Sequence, residues 1–175
     1  ADNLLAGANG NKIVMMEVNV GYFADTAGEP GGPLPPPSTP AGAYKIDYRT
    51  DAGNAWDAQL VNSASLGVPQ GMVDRVYYTG PGTPDIQYPN WGTVIDSIVA
   101  TPQTAAITMV DSTWYSKQVF GTAITTTLKN TPASGTSYYL EVVLIEDSVV
   151  DWQTNGGTVV QYFLHRNVLR TALNG

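Results

Sequence analysis

Val119-Phe120-Gly121-Thr122-Ala123-Ile124-Thr125-Thr126-Thr127-Leu128 is the stretch on which the reading of the fold turns. In an extended chain Phe120, Ile124 and Leu128 share one face while Thr125, Thr127 and Lys129 share the other, the alternation of a half-buried strand. Ala105 to Val110, just upstream, reads as another strand, and Asn130 to Gly135, just downstream, as a turn. Tyr138 to Ile145 is apolar on both faces, as a central strand would be. Short strands separated by turns argue for an antiparallel, β-sandwich-like second half. Gly157 to Leu173 stays open. Val160, Leu164 and Val168 fall at helical spacing, yet the segment is rich in β-formers.

Upstream of Thr101 the texture changes. Asp2 to Gly10 reads as the tail of a helix, with Leu4, Leu5 and Ala8 on one side and Gly10 as terminator. A strand is expected at Ile13 to Val20. The segment 26–42 carries Pro30, Pro33, Pro35, Pro36, Pro37 and Pro40, which cannot sustain a ladder and reads as an inserted surface loop of polyproline character. Asp51 to Val61 reads as a helix with Trp56 and Leu60 on one face, and Gly67-Val68-Pro69-Gln70-Gly71 as a turn into a strand at Met72 to Tyr78. Thr79 to Pro84 is turn chemistry. Asn90 is the expected N-cap of a helix bearing Trp91, Val94, Ile95 and Ile98, which Thr101-Pro102 ends. The expected class is α+β: an α/β domain over 1–101, then an antiparallel β domain over 102–175.

Composition narrows the function. Of the 175 residues 43% are hydrophobic and 13% charged, about half the roughly 25% charge of ordinary soluble domains. Four Trp, ten Tyr and three Phe supply a core and argue against disorder. The net charge is −7, and eight scattered Lys and Arg cannot form the surface that nucleic acid requires. Anionic membrane surfaces are disfavoured for the same reason. Val142 to Ile145, the longest apolar run, is far too short to span a bilayer. With no cysteine the chain has no disulfide, no thiolate metal site and no thiol chemistry. Low lysine with abundant Thr, Gly, Pro and Tyr is the balance of an exported protein. No signal peptide opens the sequence, so residue 1 is expected to be a processed or trimmed end.

Two sets of residues resemble a known family. Lys12-Ile13-Val14-Met15-Met16-Glu17-Val18-Asn19-Val20-Gly21-Tyr22-Phe23-Ala24, followed by Gly67-Val68-Pro69, is similar to a thioredoxin-like half, with a strand after the first helix and later a proline loop. Ile145-Glu146-Asp147 and Asp151-Trp152-Gln153, followed by Phe163-Leu164-His165-Arg166-Asn167-Val168-Leu169-Arg170 and Gly175, form the more specific series. Together they resemble the outer-membrane-protein-twenty-eight-related family of Bacteroidota, surface lipoproteins joining a thioredoxin-like half to a β-rich half. The resemblance implies a strand over Phe163 to Arg170, a cis Val68–Pro69 peptide, an outer-membrane-surface or extracellular location, and a lipid anchor upstream. The family's front Cys motif and its last strands are missing here. The chain is therefore expected to be a middle portion, cut or incomplete, or else completed by neighbouring chains.

His165 is the only histidine, and no G-x-S-x-G elbow accompanies it, so a Ser–His–acid triad is not expected. His165, Arg166, Asn167 and Arg170 with Glu146, Asp147 and Gln153 read instead as a structural motif, the arginines pairing with acids of neighbouring strands. Glu146, Asp147, Asp151, Thr154 and Asn155 cluster in sequence but fit no EF-hand, so Asp147, Asp151 and Asn155 read as a solvated acidic turn more readily than as cation ligands. No cofactor is expected. Trp91, Trp114, Tyr115, Tyr138, Tyr139 and Trp152 read as core and interface residues, with Trp91, Trp114, Tyr115 and Trp152 as a candidate ligand-stacking set. The expected function is non-catalytic: an exported structural or interaction subunit that binds protein partners or itself. The alternatives are a fragment of a thioredoxin-like thiol-disulfide protein and a glycan- or peptide-binding lipoprotein.

Overall fold

Left-handed backbone at two polar residues shapes the C-terminal third of the chain. Ser148 and Asn167 have φ of 62° and 55°, which a β-ladder cannot accommodate. Strands β5 (Val143–Glu146) and β6 (Val149–Asn155) flank the first, and β7 (Thr158–His165) and β8 (Val168–Ala172) flank the second. β5 pairs with β8 and β6 with β7, both antiparallel, and the register continues across the gap, with Glu146 opposite Val168 and Val149 opposite His165. The four strands are thus one long hairpin broken at its middle. The segment Phe163 to Arg170 is extended on both sides of a break at Arg166 and Asn167.

This geometry comes from a computed structural model that describes residues 2–21, 24–26, 42–61, 69–78, 83–114, 118–155 and 158–174. Most of the proline-rich insertion (27–41) and Val68 of the Val68–Pro69 pair lie outside the described residues.

The apolar run Ile13 to Val20 is extended beside β8 but is not a full strand. It makes one parallel bridge, in which the Glu17 N–H donates to the Asn167 carbonyl and the Leu169 N–H donates to the Glu17 carbonyl, each at 2.9 Å. Helix α1 (Asp2–Leu5) precedes it and stops well short of Gly10. Gly10 does not terminate that helix. It opens a 3-10 turn, Gly10–Lys12, and passes so close to Leu5 that a Cβ would lie 1.8 Å from the Leu5 carbonyl oxygen. Only glycine permits that fold-back.

Helix α2 (Asp51–Trp56) begins where Thr50 Oγ1 accepts from the Gly53 N–H at 3.0 Å, and it continues as a π-helical turn over Asp57–Val61. Gly53 is buried, and a Cβ there would stand 3.0 Å from Val18 Cγ1, so the helix rests on the extended run. It also packs on β8.

The strand expected at Met72 to Tyr78 does not form. Asp74 and Arg75 take φ of 49° and 54° in a turn closed by the Val76 N–H on the Val73 carbonyl at 3.0 Å. What remains is β1 (Gln70–Gly71), antiparallel to β2 (Ile86–Gln87). A 3-10 turn, Tyr88–Asn90, leads directly into α3 (Trp91–Val99), so Gln87 caps this helical run rather than Asn90. Val94 and Ile95 are buried on α3, and with Ile86, Pro84, Val168, Leu169 and Ala43 they make a small core.

Tyr138 to Ile145 is likewise shorter than expected as a strand. The Val142 N–H donates to Asn174 Oδ1 and Asn174 Nδ2 donates to the Leu140 carbonyl, both at 2.6 Å, so a side-chain amide stands in for a backbone partner ahead of β5. Tyr139 is 92% exposed, which no central strand position would be.

The chain divides into two compact units, Ala1–Ile98 with Leu140–Gly175, and Val99–Tyr139. The C-terminal hairpin groups with the N-terminal residues, because Glu17 and α2 both pack on β8. The second unit holds β3 (Ala105–Trp114) and β4 (Val119–Leu128), an antiparallel ribbon of ten unbroken pairs from Ala105–Leu128 to Trp114–Val119. Helices and antiparallel strands together make the fold α+β. Among the described residues no helix is long and apolar enough to cross a membrane.

Candidate functional site

The chemistry-bearing side chains of the first unit meet around His165, at the end of β7. Its ring is packed away from solvent, with the residue 5% exposed. Nδ1 lies 3.1 Å from Glu17 Oε1, and the same carboxylate oxygen accepts from Asn19 Nδ2 at 3.1 Å. Tyr48 stacks on the imidazole (centroids 5.8 Å, 27°) and Phe163 meets it edge-on at 4.9 Å. The Tyr48 hydroxyl donates to Asp151 Oδ2 at 2.6 Å, and Asp151 Oδ1 accepts from the Trp152 N–H at 2.8 Å. Arg170 places its guanidinium 5.2 Å from the Tyr48 ring centroid while its Nε donates to Glu146 Oε2 at 2.7 Å.

Local folding explains these placements. The bridge at Glu17 fixes its backbone against Asn167 and Leu169, two and four residues beyond His165. The antiparallel register puts Val149 across from His165 and Asp151 across from Phe163, so Asp151 comes near the ring. The Glu17 carboxylate bonded to Nδ1 holds the imidazole pKa above its ordinary value near 6.5, against the opposing effect of burial, with help from the Trp152 backbone and the Asp151 charge. Burial, then the hydrogen bond to Asp151, pushes the Tyr48 hydroxyl upward from 10.0. Such an arrangement holds a proton and a charge pair. It presents no exposed nucleophile beside a free base.

The other expected site residues separate into small local sets. Arg166 Nη1 donates to Asp147 Oδ2 at 3.2 Å across the break in the hairpin, and Arg170 reaches Glu146. Asn167 supplies the left-handed turn, and Gln153 Nε2 donates to the neighbouring Thr154 carbonyl at 3.2 Å, away from the cluster. Asp147 and Asp151 are separated by the left-handed break at Ser148, and each is engaged by different partners. The Asn155 side chain lies outside the described residues. Among those described, no group of three or more His, Cys, Asp or Glu could hold a metal ion.

Two members of the aromatic set are described, and they make separate contacts. Trp91 is a packing residue: its Nε1 donates to the Ile86 carbonyl at 2.7 Å, and its ring lies where a Cβ on Gly71 would be 2.7 Å away. Trp152 instead approaches Tyr44 (centroids 6.5 Å), whose hydroxyl is 2.6 Å from Thr154 Oγ1. The Trp114 side chain and Tyr115 lie outside the described residues. Pro69 is exposed, one residue before β1.

Glu17, Asn19 and Tyr48 were not singled out by sequence reasoning. Glu17 did carry a signal, as the one charged residue within the apolar run Ile13 to Val20. Tyr48 carried none, since its role depends on where the chain returns. No family model, curated protein or solved structure matches this chain.

Proposed function

We propose that this chain is a non-catalytic, exported surface protein that serves as a structural or interaction subunit, its sheets extended by strands from neighbouring copies or protein partners. One observation carries the reading. Among the described residues every sheet has two strands, and the longest, β3–β4, runs ten pairs without a bulge. A two-stranded ribbon is marginal alone in water and presents unpaired N–H and C=O groups along its edges. This ribbon contains a single charged residue, Asp111, so it has little of the charge that usually discourages edge pairing. Ile107 (58%) and Met109 (54%) are exposed on one face and Val110 (64%) on the other. Edge addition is the physical mechanism we assign.

The thioredoxin-like reading of the first half is supported by its order: an extended apolar run, a helix, a short antiparallel pair and a further helix. Membership of the Bacteroidota surface-lipoprotein family, with the upstream anchor and outer-membrane location it implies, rests on the His165 to Arg170 series and the Glu146-Asp147 pair that faces it. The commitment of His165 to Glu17 supports a structural rather than catalytic imidazole.

Light scattering across a hundredfold range of concentration tests the proposal. The weight-average mass should rise above the 18.6 kDa of one chain, and Thr108→Lys with Val110→Lys should lower it toward the single-chain value. A cooperatively folded chain that remains monomeric at every concentration would contradict the reading.

A further inference from the structure

We infer that Glu17 and His165 form a protonation-operated latch that fastens the extended run 13–20 to the C-terminal hairpin. Apart from the Glu17 contacts, the run is held where Val18 and Val20 lie against Gly53 of α2. The backbone of the run makes one bridge, through two hydrogen bonds of 2.9 Å at Glu17. Val14 is 91% exposed and contributes almost no burial, while Ile13, Met15 and Met16 are half-buried. The Glu17 carboxylate joins the run to the end of β7, while Asn19 steadies that carboxylate from the same run.

The surroundings of the ring determine which form closes the latch. The Glu17 carboxylate accepts a hydrogen bond from Nδ1–H in either the charged ring or one neutral tautomer. Among the described residues, buried Nε2 has no hydrogen-bond partner, while the Trp152 backbone favours the charged ring. A neutral ring has one N–H to offer these acceptors, whereas the charged ring has two. The groups that face the imidazole are Glu17 from the run, Tyr48 stacked on it, and Asp151 from β6, with Arg170 and Glu146 beyond Tyr48. The charges of Glu17 and Asp151 both favour the imidazolium.

The direction follows by linkage. The folded-state pKa is raised above about 6.5, so the stabilising contribution is complete below that value and disappears as pH rises through the folded-state value. Acidification closes the latch and mild alkalinity loosens it.

The lone histidine gives one imidazole resonance, which makes the test direct. Nuclear magnetic resonance titration of the intact chain should place His165 above 6.5, and Glu17→Gln, which retains an acceptor but not the charge, should lower it. Amide exchange at Leu169, corrected for intrinsic rates, should be about threefold to tenfold slower at pH 6 than at pH 8, tenfold corresponding to a displacement of one pH unit. That ratio should fall to about one in Glu17→Gln and in His165→Gln. A wild-type titration at or below 6.5, or an exchange ratio unchanged in Glu17→Gln, would overturn the latch. Should His165→Gln fail to fold, the Glu17→Gln comparison decides alone.

Discussion

Tyr48 shows how much a single residue can join. Its ring lies between the His165 imidazole and the Arg170 guanidinium, and its hydroxyl donates to Asp151 at 2.6 Å. Tyr48→Phe should cost about 1–2 kcal/mol near neutral pH, the range for a hydrogen bond to a charged acceptor. Because the folded-state hydroxyl titrates above its ordinary value of 10.0, its stabilising contribution is intact below about pH 10 and is lost as pH rises further. The stability gap between wild type and Tyr48→Phe, read from urea unfolding, should therefore shrink between pH 7 and pH 11. A constant gap would contradict the burial and bonding described for the hydroxyl. At this scale sequence reading reached only part of the site. His165 stood out as the sole imidazole, and Arg166 and Arg170 were expected to pair with acids of neighbouring strands. His165 itself was expected to bond locally and instead meets Glu17. Tyr48 and Asn19 were invisible because their partners are about a hundred residues away or depend on a carboxylate oriented by tertiary contact.

Among the elements, those fixed by local chemistry were the most legible. β4 was delimited by alternation and its flanking turn, α3 by apolar spacing and the following Thr101-Pro102, and α2 by Trp56 and Leu60 on one face. The failures share a cause: apolar stretches that read as strands need a partner, and periodicity cannot supply one. Met72 to Tyr78 instead turns at Asp74 and Arg75, and Ile13 to Val20 meets β8 at one bridge. The segment before β5 meets a side chain. Asn174 uses its amide as a substitute peptide for Leu140 and Val142, so Asn174→Ala should destabilise the first unit by about 1 kcal/mol and speed amide exchange at Val142 several-fold. Unchanged exchange at Val142 would mean that the side-chain amide contributes nothing to the start of the hairpin.

For the whole molecule, the sequence supports the mixed α+β class but not the division of the chain into its two compact units. A change of texture near Thr101 is visible, whereas the return of Leu140–Gly175 to the N-terminal unit depends on contacts of Glu17 and α2 with β8. The central claim is that this protein works by presenting open β-structure to other chains. Backbone amide exchange over Ala105–Trp114, followed in dilute and concentrated solution of the intact chain, tests it most directly. Outward-facing amides of β3 should be protected only at the higher concentration, as a neighbouring strand pairs with them. Exchange rates along β3 that are identical at both concentrations, in a chain that stays monomeric, would contradict it.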